Sequence, residues 1–233
     1  LIDVVLTSLL VVGVPSYMMW KSLTGRDKPP ERKLSRYIRS IVMALALDGL
    51  LLLDWLLNGR SPAALGLAIP IPTTGVVGIA LAVCILLTLT FVMRAQLRST
   101  KAPNSVDLDI LPTTATEFSA FVAFSFVVGC SWEVLFRGYL LWALQPHIGL
   151  VFSVLLAAAA YGVAHGFKNT RIFLGSVLSA LIFTVAYAAT GSLWWLMLVH
   201  CGLPLIGAFA SRAQRRRSGV PSEVAGPLGD VPA

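Results

Sequence analysis

Seven stretches of mostly apolar residues dominate this sequence, near 2–20, 40–57, 75–93, 117–145, 149–167, 172–190 and 193–211. Each is close to the roughly 20 residues that carry an α-helix across a bilayer. In lipid, backbone polar groups must be satisfied within their own segment, which predicts helices, and the alternation of a barrel strand is absent. Composition agrees: 57% of residues are hydrophobic and only 12% are charged, about half the usual charge of a soluble domain. The fold class is therefore read as all-α, a polytopic membrane helical bundle of about seven transmembrane helices. Its length leaves no room for a large soluble domain.

The formal net charge is +7, but its placement points to the membrane and not to nucleic acid. Of the 18 Lys and Arg residues, 16 fall between or after the apolar stretches in four groups: 21–39, 94–101, 168–171 and 212–217. Seven alternating helices place all four groups on one side, and only Arg60 on the other. By the positive-inside rule this makes the basic side cytoplasmic, with the N-terminal end of helix 1 outside and the C-terminal tail inside. Three divisions follow: N-terminal helices and basic loops over 1–110, a core over 111–211, and a basic cytoplasmic tail over 212–233, expected to be disordered because of its Gly/Pro content. Cys84, Cys130 and Cys201 lie inside apolar runs without metal-site spacing and read as packing residues. The sequence begins at Leu1, so a preceding segment stays open.

Ionisable side chains inside a bilayer cost about 2.5–3.5 kcal/mol each on insertion scales. Five require a reason: Asp48, Glu133, Arg137, His165 and His200. Glu133 and Arg137 are four apart on one helix and so share a face. They read either as a structural ion pair or as part of a site. His165 and His200 lie on two other predicted helices. The four groups together can supply an acid and a base to one site, or two imidazoles and a carboxylate to a zinc ion. Asp48 is expected to hydrogen-bond to a neighbouring helix or trapped water, whereas Asp54, near a helix end, is expected to reach water more easily. No HExxH or GxSG-type motif is present, and two aspartates on one helix argue against an aspartyl pair from two helices.

The run Trp132-Glu133-Val134-Leu135-Phe136-Arg137-Gly138-Tyr139-Leu140 resembles the EExxFRGxL block of the CAAX-protease and bacteriocin-processing family. Tyr161 to His165 resembles the second block, an aromatic residue followed by xxxH. His200 to Pro204 resembles the third, HxxxN or HxxxD. Leu111-Pro112 and Glu117 resemble the family's approach to the first block, and Thr190 to Trp194 its run into the third. The resemblance covers about 111–211. It implies a cytoplasm-facing intramembrane endopeptidase in which a glutamate activates water and histidines shape the site and stabilise the oxyanion. Members are commonly labelled metalloproteases, and a metal-free mechanism is also proposed.

Two positions depart from that pattern. The first glutamate of EExxxR falls on Trp132, and the third block ends in Pro204. Adjacent helical residues point about 100° apart, so Glu133 does not replace the missing side chain unless the helix is distorted. Pro204 is expected to kink helix 7. Depth adds a tension. Glu133 and His200 lie about 3 Å outward of their helix midpoints, and His165 about 10 Å inward. A shared site therefore requires helix 4, about 29 residues long by its pattern against the usual 20 or so, to tilt, break or re-enter.

The resemblance thus implies Glu133, His165 and His200 as catalytic residues, with Arg137 in structural support. Glu133, His165 and His200 are the candidates for metal, and a divalent ion such as zinc and no metal at all both stay open. The substrate expected is a membrane-associated peptide or protein, the setting a bacterial-type cell membrane. The alternative is a non-catalytic member acting in binding, immunity or regulation; a small transporter subunit, suggested by Asp48 and the helix count, is more distant.

Overall fold

The apolar stretches are helices throughout the residues described by the computed structural model: 1–25, 32–98 and 110–217. Helix α1 spans Ile2–Thr24, with a π-helical turn at Leu9–Gly13. Helix α2 spans Lys33–Leu57, α3 Thr73–Arg98, α6 Thr170–Thr190 and α7 Trp194–Arg217. Between them runs one helical stretch, Ala115–Ala164, of 50 residues. At 1.5 Å per residue that is about 75 Å, more than twice the roughly 30 Å hydrocarbon core. Gly149, at φ 73° and ψ 167°, breaks it into α4 (115–148) and α5 (150–164). Positive φ is costly for a residue with a Cβ, so glycine suits this point.

The break is a reversal. Phe136 and Tyr161 lie 25 positions apart and would be about 37 Å apart on a straight helix, yet their ring centroids are 5.4 Å apart. Helices α4 and α5 therefore form a hairpin. Six helices are long and apolar enough to cross a membrane, the 50-residue stretch counting as one; dividing it gives seven helical segments. No strand occurs among the described residues. The chain is an integral membrane protein of all-α architecture.

Two boundaries differ most from the hydropathy reading. Helix α2 begins at Lys33 instead of near 40, and α7 runs to Arg217 instead of 211. In both places a basic segment continues the helix, since Lys and Arg are good helix formers and hydropathy marks only the apolar part. Thus 212–217, expected in a disordered tail, is helical; residues 218–233 of that tail, and Arg26, Lys28 and Lys101, lie outside the described residues.

Helix α4 lies at the centre, packed on α2 and α7, while α3 packs on α7, and α5 on α1 and α6. At one end, Ser22 accepts a hydrogen bond from the Phe167 backbone N–H (2.8 Å) and Lys33 donates to the Leu111 carbonyl (2.8 Å). At the other, the Leu193 N–H donates to the Gly66 carbonyl (3.0 Å). There Arg60 bridges Asp3 (2.7 Å) and Asp54 and stacks over Trp142, 4.5 Å from the ring centroid. The hydrogen bond with Asp3 pushes the Arg60 pKa up. Asp54, expected to reach water, is instead 3% exposed; Arg60 reaches back six positions and supplies the countercharge. Asp48 behaves as expected, accepting a hydrogen bond from Ser131 of α4.

Gly138 shows why the central motif carries glycine. A Cβ there would lie 2.8 Å from the Leu65 carbonyl oxygen and 3.1 Å from Leu193 Cδ1. Backbone cannot yield as a flexible side chain would, so Gly138→Ala should lower stability by about 1–3 kcal/mol, the usual cost of overpacking. Thermal unfolding in detergent measures this; an unchanged midpoint would contradict the close approach.

Candidate active site

The start of α4 is fixed by a capping box. Thr114 Oγ1 accepts from the Glu117 N–H (3.1 Å), and Glu117 Oε2 accepts from the Thr113 N–H (2.7 Å) and, at 3.4 Å, the Thr114 N–H. Both satisfy donors that a helix N-terminus otherwise leaves orphaned. Five turns later the helix changes character. Glu133–Tyr139 is π-helical, covering the motif that holds Glu133, Arg137 and Gly138. A π-turn widens the helix and shifts side-chain phase relative to a regular α-helix. The local distortion that the motif required is therefore present, and it begins at Glu133 itself.

Glu133 and Arg137 are 2% and 1% exposed. Arg137 Nη1 donates to Glu133 Oε1 at 2.6 Å, and His200 Nδ1 donates to the same oxygen at 2.7 Å. Arg137 also lies over the Tyr161 ring, 4.4 Å from its centroid. Glu133 Oε2 is buried and has no hydrogen-bond partner. One carboxylate oxygen thus anchors the cluster, and the other is left over.

The histidines are oriented by their acceptors. His165 Nδ1 lies 2.9 Å from the Tyr161 carbonyl oxygen, which can only accept, so Nδ1 carries the proton and Nε2 the lone pair. His200 donates from Nδ1 to Glu133, leaving Nε2 to accept from the Tyr161 hydroxyl at 3.3 Å. Tyr161 and His165 rings meet edge to face at 4.7 Å. Tyr161 therefore joins both histidines to Arg137.

Glu133, Arg137, His165 and His200 line one cavity of about 210 Å³, with Tyr161, Ser179, Phe183 and Pro204 among its other walls. His165 and Ser179 are exposed and His200 is partly so, at 27%, so the cavity is open. All four predicted residues converge. The depth tension disappears because of the hairpin: Glu133 and His165 each lie sixteen positions from Gly149, which places them at matching levels on antiparallel helices. The sequence reading measured depth from helix midpoints, but α4 (115–148) is more than twice as long as α5 (150–164), so their midpoints do not share a level and the turn at Gly149 is the common reference.

Tyr161 was quoted in the second block without a role, Ser179 of α6 reads by its spacing from Gly175 as a small helix-packing residue, and Phe183 of α6 was not singled out. Tyr161 had a signal, since it lies four residues before His165 and so shares its face. Ser179 and Phe183 had none, because neither costs anything notable to place in a membrane helix.

Trp132 does not line the cavity and packs on Phe136 at 5.2 Å between centroids. Pro204 does line it, inside a helix that continues through it to Arg217. Proline has no N–H to return to the carbonyl four residues earlier, which belongs to His200.

The three metal candidates do not fit a metal as arranged. His200 Nδ1 is spent directly on Glu133 Oε1, and that oxygen also serves Arg137. No group of three His, Cys, Asp or Glu side chains among the described residues is placed to hold an ion.

Residues 114–206 match the family model of type II CAAX prenyl endopeptidase Rce1-like proteins. This segment is similar to that family. The matched span falls within the 111–211 segment that carries the three motif blocks, and it contains every residue of the cavity named above. A search of curated proteins found no match, nor did a search of solved structures. The matched segment brings all three blocks to one cavity, while α1–α3 lie outside the match and pack around it.

Proposed function

We propose that this protein is an intramembrane CAAX-type endopeptidase acting on membrane-associated peptides or proteins, with Glu133 as base. The observation that carries the reading is the convergence of Glu133, Arg137, His165 and His200, from three separate helices, on one open cavity. The Rce1-like match supports it. Placing these four groups within membrane helices is costly, and a purely structural ion pair needs neither histidine.

The chemistry uses this chain's own residues. A water at Glu133 Oε2 gives that oxygen a proton while its own oxygen attacks the scissile carbonyl. The C–N bond then breaks and its nitrogen takes the proton from Glu133. A new carboxyl terminus and a free amine leave, and the carboxylate is restored. Arg137 and His200 hold Oε1, so Oε2 stays in place. Tyr161 and His165 form the adjoining wall of the cavity. The test is cleavage of a panel of lipid-anchored peptides by purified protein, with His165→Ala alongside. Product from wild type and its loss in the variant support the reading; no product from any peptide opposes it.

One observation favours a second reading, a non-catalytic member with a binding, immunity or regulatory role. Trp132 stands where the family carries its first glutamate, and its ring packs on Phe136 away from the cavity. The same panel separates the two readings, because a non-catalytic member releases no product under any condition.

We also propose that the membrane is of bacterial cell-membrane type and that the end holding Lys33, His165 and the C-terminal end of α7 faces the cytoplasm, following the distribution of basic residues. Reporter fusions after Arg98 and after Arg217 should read cytoplasmic, and one near Pro62 external. An external reading at Arg217 would reverse the orientation.

A further inference from the structure

We propose that Cys130 and Cys201 form an oxidative modification site, closing into a disulfide that locks α4 to α7 beside the Glu133–His200 contact. The site itself stands independently of the peptidase reading; only its effect on cleavage rests on that reading.

The geometry is specific. Cys130 Sγ and Cys201 Sγ lie 3.8 Å apart, and both thiols are free. Cys201 directly follows His200, and Cys130 lies three residues before Glu133. The thiol contact and the 2.7 Å His200–Glu133 hydrogen bond therefore join the same two helices within one turn of each other. Nothing stands between the sulfurs and their bond. Gly129 leaves room for Cys201, since a Cβ there would lie 3.0 Å from its Sγ. A disulfide needs about 2.05 Å between sulfurs, which rotamer adjustment and a small helix shift supply.

The oxidant is a peroxide small enough to enter the bilayer. Cys130 is partly exposed and Cys201 is 5% exposed, so Cys130 is the thiol that reacts first. One peroxide oxygen transfers to its sulfur, giving a sulfenic acid and water. Cys201 then attacks that sulfur, its proton leaves with the hydroxyl as a second water, and the S–S bond forms. Two thiols are oxidised by two electrons and one hydrogen peroxide is reduced to two waters. A dithiol reductant reverses the bond.

Closing the sulfurs draws the helices together next to the base. Displacement of a site contact by about an ångström costs on the order of 10²-fold in rate. Oxidation should therefore lower cleavage by about that factor.

The experiment treats the full-length protein carrying Cys84→Ser, in detergent, with hydrogen peroxide. Cys84 lies on the exposed surface and is removed so that only the pair remains. Mass spectrometry of the non-reduced digest should show one cross-linked species joining the peptides of Cys130 and Cys201, two hydrogens lighter than their sum. Dithiothreitol should abolish it, and Cys130→Ser should never form it. Absence of that species, or sulfinic and sulfonic acids in its place, would overturn the site. Equal cleavage by reduced and cross-linked protein would overturn its effect on the active site. A cross-link that forms in protein cleaving nothing even when reduced supports the thiol pair and counts against the peptidase reading.

Discussion

Arg137→Ala should sharply reduce the amount of folded protein. The guanidinium is 1% exposed and holds Glu133 Oε1 at 2.6 Å, with the carboxylate itself 2% exposed. Removing one partner of a buried pair leaves the other charge uncompensated, at a cost of about 3–5 kcal/mol. The variant also loses the cation–π contact over Tyr161, on which the two histidines depend for orientation. His200 remains on Glu133 but cannot replace a guanidinium that stays charged at every accessible pH. Monodisperse yield after detergent extraction, together with thermal unfolding, measures the effect. Normal yield with only activity lost would show that Arg137 acts on substrate instead of on Glu133.

That expectation places the cost of the site in its buried charges, and those charges are also what made it legible. Glu133, Arg137, His165 and His200 stood out because lipid penalises each of them, and all four meet. The helices were legible for the complementary reason: apolar length is hard to conceal. What hydropathy did not carry was backbone geometry. The reversal at Gly149 and the π-turn from Glu133 to Tyr139 leave the apolar pattern unchanged, yet together they bring Glu133 level with His165 and turn it towards His200. Asp54 failed for a related reason. Its position near a helix end suggested water, but the loop after α2 returns Arg60 to it, a contact between residues six apart that helical periodicity does not register. Ser179 and Phe183 line the same cavity without any polar or charged penalty to mark them.

The arrangement also bears on the departures from the family pattern. Trp132 is packed on Phe136, so its position supplies no second carboxylate to the cavity wall. In the proposed mechanism the work of activating water falls on Glu133, the glutamate that lines the cavity, whose Oε2 is buried and unpartnered. Pro204 removes the amide or carboxylate of the third block and in exchange leaves the His200 carbonyl without its helical donor. The packing of α4 against α7 rests on the glycine at 129 and the small side chains of Cys130 and Cys201.

Glu133→Gln is the most direct test of the central claim. The amide keeps the shape of the side chain and its oxygen still accepts from Arg137 and His200, but the buried guanidinium loses its countercharge, so stability should fall and cleavage is compared per amount of folded, monodisperse protein. What it loses is the ability to take a proton from water. A general base contributes typically about 10²–10⁴-fold. Cleavage of a lipid-anchored peptide, followed by mass spectrometry of the released C-terminal fragment, should fall by at least that lower factor in Glu133→Gln. Robust cleavage by wild type that persists unchanged in Glu133→Gln would contradict the account.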